Sequence, residues 1–184
     1  AQFKAFRNGE IFTPPSLAGT LSFPGYPGGV NWGGVTVDPR RQLLIVNTMR
    51  LAAWGKLVPR VGSTSGNQIG TPYHMERAVW VGPSGLPCQK GPWGMLTAID
   101  LRTGTVKWER PIGGLKPGTA LPDPASRWGS PNFGGSLATA GGLIFIAAGM
   151  DEQLRAIDID TGHDLWSTNL FFSEPATPKI YTIG

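Results

Sequence analysis

The sequence predicts an all-β chain, a partial β-propeller of about two four-stranded blades plus pieces of neighbouring ones. Two repeats and the composition predict it. Residues 98–108 (AIDLRTGTVKW) return 58 residues later as 156–166 (AIDIDTGHDLW), with Ala, Ile, Asp, Thr, Gly and Trp identical. Residues 33–39 (GGVTVDP) and 43–47 (LLIVN) return 101 residues later as 134–140 (GGSLATA) and 143–147 (LIFIA). Repeats at this scale describe an array of one supersecondary unit, each burying its apolar face on the next. Four strands per unit with a large indole between units is the pattern of a propeller blade. The 27 Gly and 17 Pro supply many turns, while 40% hydrophobic and 15% charged residues suit a packed core and exclude a disordered chain.

The elements follow in order. Residues 1–30 read as pieces of a neighbouring blade and its connectors. Blade one covers about 31–112, with strands near 34–38, 43–47, 94–100 and 105–110. The two repeats differ in spacing by 43 residues, so blade one carries extra chain between its second and third strands. That insertion, residues 48–90, is rich in Pro, Gly and Ser with little periodicity and reads as a long loop, the kind that usually serves function. In the repeated phrase, apolar alternation runs into Asp100 or Asp158. A Thr-Gly turn follows, in which Gly provides φ > 0 and the Asp side chain caps the turn.

Residues 111–130, with four prolines, form a connection along the rim. Blade two covers about 134–168, with strands near 135–139, 143–148, 153–158 and 163–168. In the tail, 170–184, residues 176–181 resemble the opening strand of a third blade. No amphipathic helical period is present. Propellers close with about four to eight blades, so the chain is expected to be a piece of a longer protein. Its unpartnered lateral faces are expected to make it self-associate in isolation.

Charge and chemistry narrow the function classes. The single Cys88 excludes an internal disulfide or a cysteine-based metal site. The net charge of +4 gathers partly at Arg40, Arg41, Arg50, Lys56 and Arg60, a run that fits a solvated rim, or else an anionic ligand or lipid surface. No motif supports nucleic-acid binding. His74 and His163 lack metal-ligand spacing, and His163 takes the turn place of Thr105, which makes it a surface residue. Residues 25–34 (GYPGGVNWGG) are glycine-rich but open a strand, so they are not a dinucleotide fingerprint. A tryptophan face beside glycine backbone suits a planar ring system.

The phrase A-x-D-x-x-T-G-x-x-x-W resembles the tryptophan-docking motif of quinoprotein dehydrogenases, eight-bladed propellers that hold pyrroloquinoline quinone (PQQ) on their axis. In order, 12–25 (FTPPSLAGTLSFPG), 32–39 (WGGVTVDP), 56–60 (KLVPR), 70–73 (GTPY) and 85–88 (GLPC) are similar to the C-terminal part of the membrane-bound glucose, quinate/shikimate and polyol group. The resemblance implies a periplasmic enzyme, attached to the inner membrane, that oxidises a sugar or polyol with PQQ and bound Ca²⁺ or Mg²⁺. It further implies electron transfer to ubiquinone. In that group the metal is a Lewis acid on the quinone carbonyl and the cofactor carries the difficult chemistry. The catalytic Asp, the metal ligands and the membrane helices lie upstream of the matched region, so neither a catalytic nor a metal residue is assigned here and the chain alone is expected to be inactive.

The resemblance assigns three cofactor-binding residues. Asn47 matches the asparagine near the quinone, where its amide can bond the polar edge; the competing reading is an asparagine that caps a strand before a loop. Trp32 presents indole or backbone near the ring, or packs between blades. Asn132, with Phe133 beside it, opens blade two at the same level. Trp108 and Trp166 are structural, docking neighbouring blades. Asn47 is followed by Thr-Met-Arg50 where glucose-type members carry Pro-Met-Ala, and rim loops set substrate choice, so glucose, quinate, shikimate and polyols stay open. The alternative function is a non-catalytic propeller scaffold of outer-membrane assembly type, built from the same blades without a quinone.

Overall fold

The computed structural model describes residues 2–10, 12–60, 68–115 and 128–170. Among the described residues a single helical turn, α1 (Gln2–Ala5), precedes eleven strands: β1 (Thr20–Ser22), β2 (Val35–Asp38), β3 (Leu43–Met49), β4 (Ala53–Pro59), β5 (Tyr73–Val79), β6 (Gly94–Asp100), β7 (Thr105–Pro111), β8 (Ser136–Ala138), β9 (Leu143–Ile146), β10 (Gln153–Asp158) and β11 (Asp164–Asn169). They form two four-stranded antiparallel sheets, ordered β2-β3-β6-β7 and β8-β9-β10-β11, and a three-stranded sheet β1-β4-β5. The four-stranded sheets are the two repeats. The expected strand opening a third blade, 176–181, lies outside the described residues, as does most of the proline-rich connection.

The repeated phrase is the outer hairpin of each four-stranded sheet, and it repeats in detail. A register shift falls between Ala98 and Ile99 in one copy and between Ala156 and Ile157 in the other. Gly104 and Gly162 take positive φ, and their N–H groups donate to the carbonyls of Asp100 and Asp158 at 2.7 and 2.8 Å. The Asp158 carboxylate accepts from the N–H groups of Asp160 and Thr161, and that of Asp100 from the N–H of Arg102. Turn chemistry thus fixes both hairpins locally.

The core lies between the two sheets. Leu43, Ile45, Leu96, Ala98 and Ile112 meet Ile144, Ile146, Ile157 and Ile159, all buried. At the outer edge, Trp108 donates its Nε1–H to the Ile159 carbonyl at 2.9 Å, and Arg110 makes two 2.9 Å bonds to the Asp164 carboxylate. At the inner edge, Thr36 and Ser136 join β2 to β8 through their hydroxyls. Trp108 therefore docks blade two, as its place in the repeat predicts. Trp166, its counterpart, is 51% exposed.

The structure corrects three expectations. Residues 48–90 are not a loop: they contain β4 and β5, paired through seven residues from Ala53↔Val79 to Pro59↔Tyr73. Nor does the segment before residue 30 lie in a neighbouring blade. Its β1 pairs with β4, and Phe3 and Phe6 stack on Trp80 and Trp54 at 5.6 and 5.8 Å. Both misreadings share a cause: the β4–β5 ladder is half-exposed, so it lacks the alternation that marks a strand in sequence. A small second core of Met49, Leu51 and Trp93 ties it to blade one. Finally, the basic run is not one patch, because Arg40 and Arg41 precede β3 and Arg50 follows it, about 23 Å of strand away.

Arg41 is spent between the blades. It bonds Asp38 at 2.9 Å and Asp160 at 3.0 Å, and Asp160 also accepts from Lys107 at 2.8 Å. The Arg41 N–H, then its guanidinium, hold Asp38 below the usual carboxylate value, and Lys107 followed by Arg41 does the same for Asp160. The Arg102 side chain holds Asp100 at about 2. Carboxylates lowered on folding stabilise the native state fully above their unfolded value, about 3.9, and lose that contribution as pH falls through the folded values. Thermal melts should therefore change little in this respect from pH 7 to 5 and fall between about pH 4 and 2. Asp160→Asn should flatten that acid limb; an unchanged limb would remove the inter-blade network from the account.

Candidate cofactor site

Three chain segments meet at one end of the seam between the blades: the entry to β2, the last half of β3 and the entry to β8. They meet closely because glycine faces glycine. A Cβ on Gly33 would come within 2.6 Å of the Gly134 carbonyl carbon, and one on Gly135 within 2.4 Å of the Gly33 carbonyl oxygen. Glycine is required by this backbone approach. The glycine-rich run 25–34 leads into β2, as a strand-opening segment should.

Asn47 lies within β3, opposite Leu96 of β6, and is 93% buried, with 7% of its surface accessible. Its Nδ2 donates to the Gly134 carbonyl at 2.6 Å, bridging the two blades across 87 positions of sequence. Its Oδ1 is buried without a hydrogen-bond partner. Asn132, 2% accessible, donates Nδ2 to the Ser130 carbonyl at 3.1 Å, and its Oδ1 is likewise buried and unpartnered. It sits against β6: a Cβ on Gly94 would meet Asn132 Nδ2 at 2.4 Å. Gly94 in turn pairs with Met49, two residues beyond Asn47.

Trp32 is 80% exposed, so it does not pack between these two blades. Its N–H donates to Asn31 Oδ1 at 2.7 Å, and Asn31 Nδ2 donates to the Pro27 carbonyl at 3.1 Å, which braces the backbone beneath an open indole. Phe133 is partly exposed on the β8 side. Met49 forms two backbone bonds with Gly29, and Arg50 is anchored through its N–H to the Trp93 carbonyl, with its side chain at the surface. The seam therefore joins Asn47 to Gly134, sets Gly33, next to Trp32, against the same Gly134 backbone, and places Asn132 beside Gly94, whose partner Met49 is two residues along β3 from Asn47. Sequence reading missed Asn31, the Gly134 carbonyl and Gly94. Only Asn31 carries a local signal, an Asx side chain inside a turn-rich run.

A protein-family comparison matches residues 1–184, the whole chain, to the beta-propeller domain described as glucose/ethanol/alcohol dehydrogenase, PQQ. The chain belongs to the PQQ-dependent dehydrogenase propeller family. Among its relatives, the quinoprotein glucose dehydrogenase of Escherichia coli (strain K12) is 38% identical, over 99% of this chain and 25% of the relative. The quinate/shikimate dehydrogenase (quinone) of Acinetobacter baylyi is 36% identical, over 97% of this chain and 24% of the relative. The chain thus spans about a quarter of the length of the curated relatives it matches. Among solved structures, a europium-containing methanol dehydrogenase superposes with a TM-score of 0.56 at 22% identity, covering 91% of this chain and 24% of that one, which shows a shared fold.

The residues at the seam fit the family's cofactor. A buried amide oxygen without a partner costs about 1–3 kcal/mol unless a ligand or water supplies a donor. Asn47 offers that acceptor and a second Nδ2 hydrogen, which together match a ring edge carrying both an N–H and a carbonyl. The exposed Trp32 indole offers an apolar face to a planar system. Among the described residues no group of three or more His, Cys, Asp or Glu side chains could hold a metal ion, and no helix is long and apolar enough to cross a membrane.

Proposed function

We propose that this chain is the C-terminal part of a periplasmic quinoprotein dehydrogenase, attached to the inner membrane, that oxidises a sugar or polyol and delivers the electrons to ubiquinone. Residues about 31–112 and 134–168 are its two blades. Asn47 carries the reading: a buried amide that links the blades and keeps an unused acceptor, within this family's fold. Bound PQQ, with Ca²⁺ or Mg²⁺, supplies the two-electron acceptor for alcohol oxidation. Asn47 orients the cofactor's polar edge, Trp32 covers part of a ring face, and Asn132 holds the neighbouring loop level with them. The carboxylate base and the metal ligands come from other segments of the parent protein.

The relatives, named for glucose, quinate/shikimate and glycerol, support the sugar-or-polyol reading. The test is dye reduction by the full-length protein, reconstituted with PQQ and Ca²⁺ or Mg²⁺, against aldoses, polyols, quinate and shikimate. Reduction with one class names the substrate. No reduction together with no PQQ binding makes the protein a scaffold. The exposed Leu165 and Trp166, with Val35 and Val37, are the faces that further blades cover. The isolated chain is accordingly expected to be inactive and to self-associate in light scattering, and a monomer at high concentration would contradict the uncovered-blade reading.

A further inference from the structure

We propose that the cleft on the β1-β4-β5 sheet binds a small polyhydroxylated carboxylate, a sugar acid, at a site separate from the cofactor seam. The cleft is about 340 Å³, with Thr20, Ser22, Tyr26, Trp54 and Arg77 among its walls and none of Trp32, Asn47 or Asn132. That volume falls at the lower end of small-ligand sites, about 300–1,000 Å³.

Arg77 names the charge. It lies on β5 opposite Gly55, where no side chain screens it, and its guanidinium stands 4.5 Å over the Tyr26 ring. A guanidinium carries its N–H donors in a planar fork, the geometry that grips a carboxylate through two parallel bonds. Among the described residues no carboxylate occupies those edges: the neighbouring Glu76 stands opposite Lys56 across the ladder. The cleft is therefore lined by a guanidinium that no carboxylate pairs among the described residues.

The hydroxyls name the rest of the ligand. Thr20, 5% accessible, donates its proton to the Pro14 carbonyl at 2.9 Å and stands 3.3 Å from the Ser16 hydroxyl, and Ser22 donates to the Ala53 carbonyl at 3.3 Å. Both oxygens keep lone pairs and have no further proton to give, so they are complementary to ligand O–H donors. Tyr26 adds aromatic surface for the C–H face of a polyol chain, while the Trp54 indole, stacked on Phe6, faces the other side of the sheet. A neutral sugar leaves Arg77 unused, and a simple carboxylate leaves the hydroxyl wall unused. A molecule with both groups uses the whole cleft.

The inference does not depend on the proposed dehydrogenase activity. Sodium gluconate, titrated into the full-length protein by calorimetry, is the probe, with glucose and acetate as comparisons. Gluconate should bind at least tenfold tighter than either. Arg77→Gln, at an exposed position, should weaken gluconate at least tenfold while dye reduction and the melting temperature stay as in the parent. Gly55→Val, which places a side chain in the cleft, should abolish binding independently. Gluconate affinity equal to that of glucose, or unchanged in Arg77→Gln, would overturn the site.

Discussion

Asn47→Ala in the full-length protein is expected to weaken PQQ binding tenfold to a hundredfold and to lower the melting temperature as well. Two losses combine. The Gly134 carbonyl, reached at 2.6 Å, loses its donor in a buried seam, and the cofactor loses the amide that meets its polar edge. Each loss of a buried partner is worth about 1–3 kcal/mol, and about 1.4 kcal/mol is a factor of ten. Asn47→Asp separates the roles: it keeps the shape and the acceptor but sets a carboxylate against the Gly134 carbonyl, so the seam should suffer more than in the alanine variant. PQQ titration beside a thermal melt checks both. If the melting temperature falls while PQQ affinity does not, Asn47 merely ties the end of a strand across the seam.

Trp108→Ala should cost about 3 kcal/mol of stability, the low end for a large aromatic because the ring is half-buried. Its indole N–H loses the Ile159 carbonyl and its ring loses the floor at Gly162. Gly162→Ala attacks the same contact from the other side. The backbone there is at φ 75°, and a Cβ would come within 2.8 Å of the Trp108 ring, so this small change should be nearly as damaging. Trp166 is the control built into the repeat. In the isolated chain Trp166→Ala should be close to neutral, as exposed sites usually are; in the full-length protein it should approach the cost at Trp108. Equal, small effects in both contexts would mean that no further blade docks there. Chemical denaturation of both forms, measured side by side, decides this.

These two predictions differ in how far they could be read from the chain. The Trp108 contact is legible because Trp108 and Gly162 both belong to the repeated phrase, and repetition implies stacking. The Asn47 bridge is not legible as geometry: 87 residues separate Asn47 from Gly134, and only the docking of the blades brings amide to carbonyl. The resemblance pointed to the residue, and the structure shows what it touches and which atom it leaves unpaired. Trp32 makes the same point from the other side. Its neighbours in sequence suit either a packed or an open indole, and in the structure it stands open beside the two blades.

The sequence by itself determined the two blades, their strand boundaries to within a residue or two, and the turns that close their outer hairpins. Those features rest on local chemistry, an Asp side chain capping its own turn and a glycine at positive φ, repeated in register. Only the tertiary structure decided that residues 48–90 contribute β4 and β5 to a third sheet. The partner strand β1 lies some thirty residues upstream, and the half-exposed β4–β5 ladder needs no regular apolar alternation when Phe3, Phe6 and the Met49 cluster support it. Sequence periodicity reports which residues face a core; it is silent about a sheet held by cross-strand pairing and a few aromatic contacts distant in the chain.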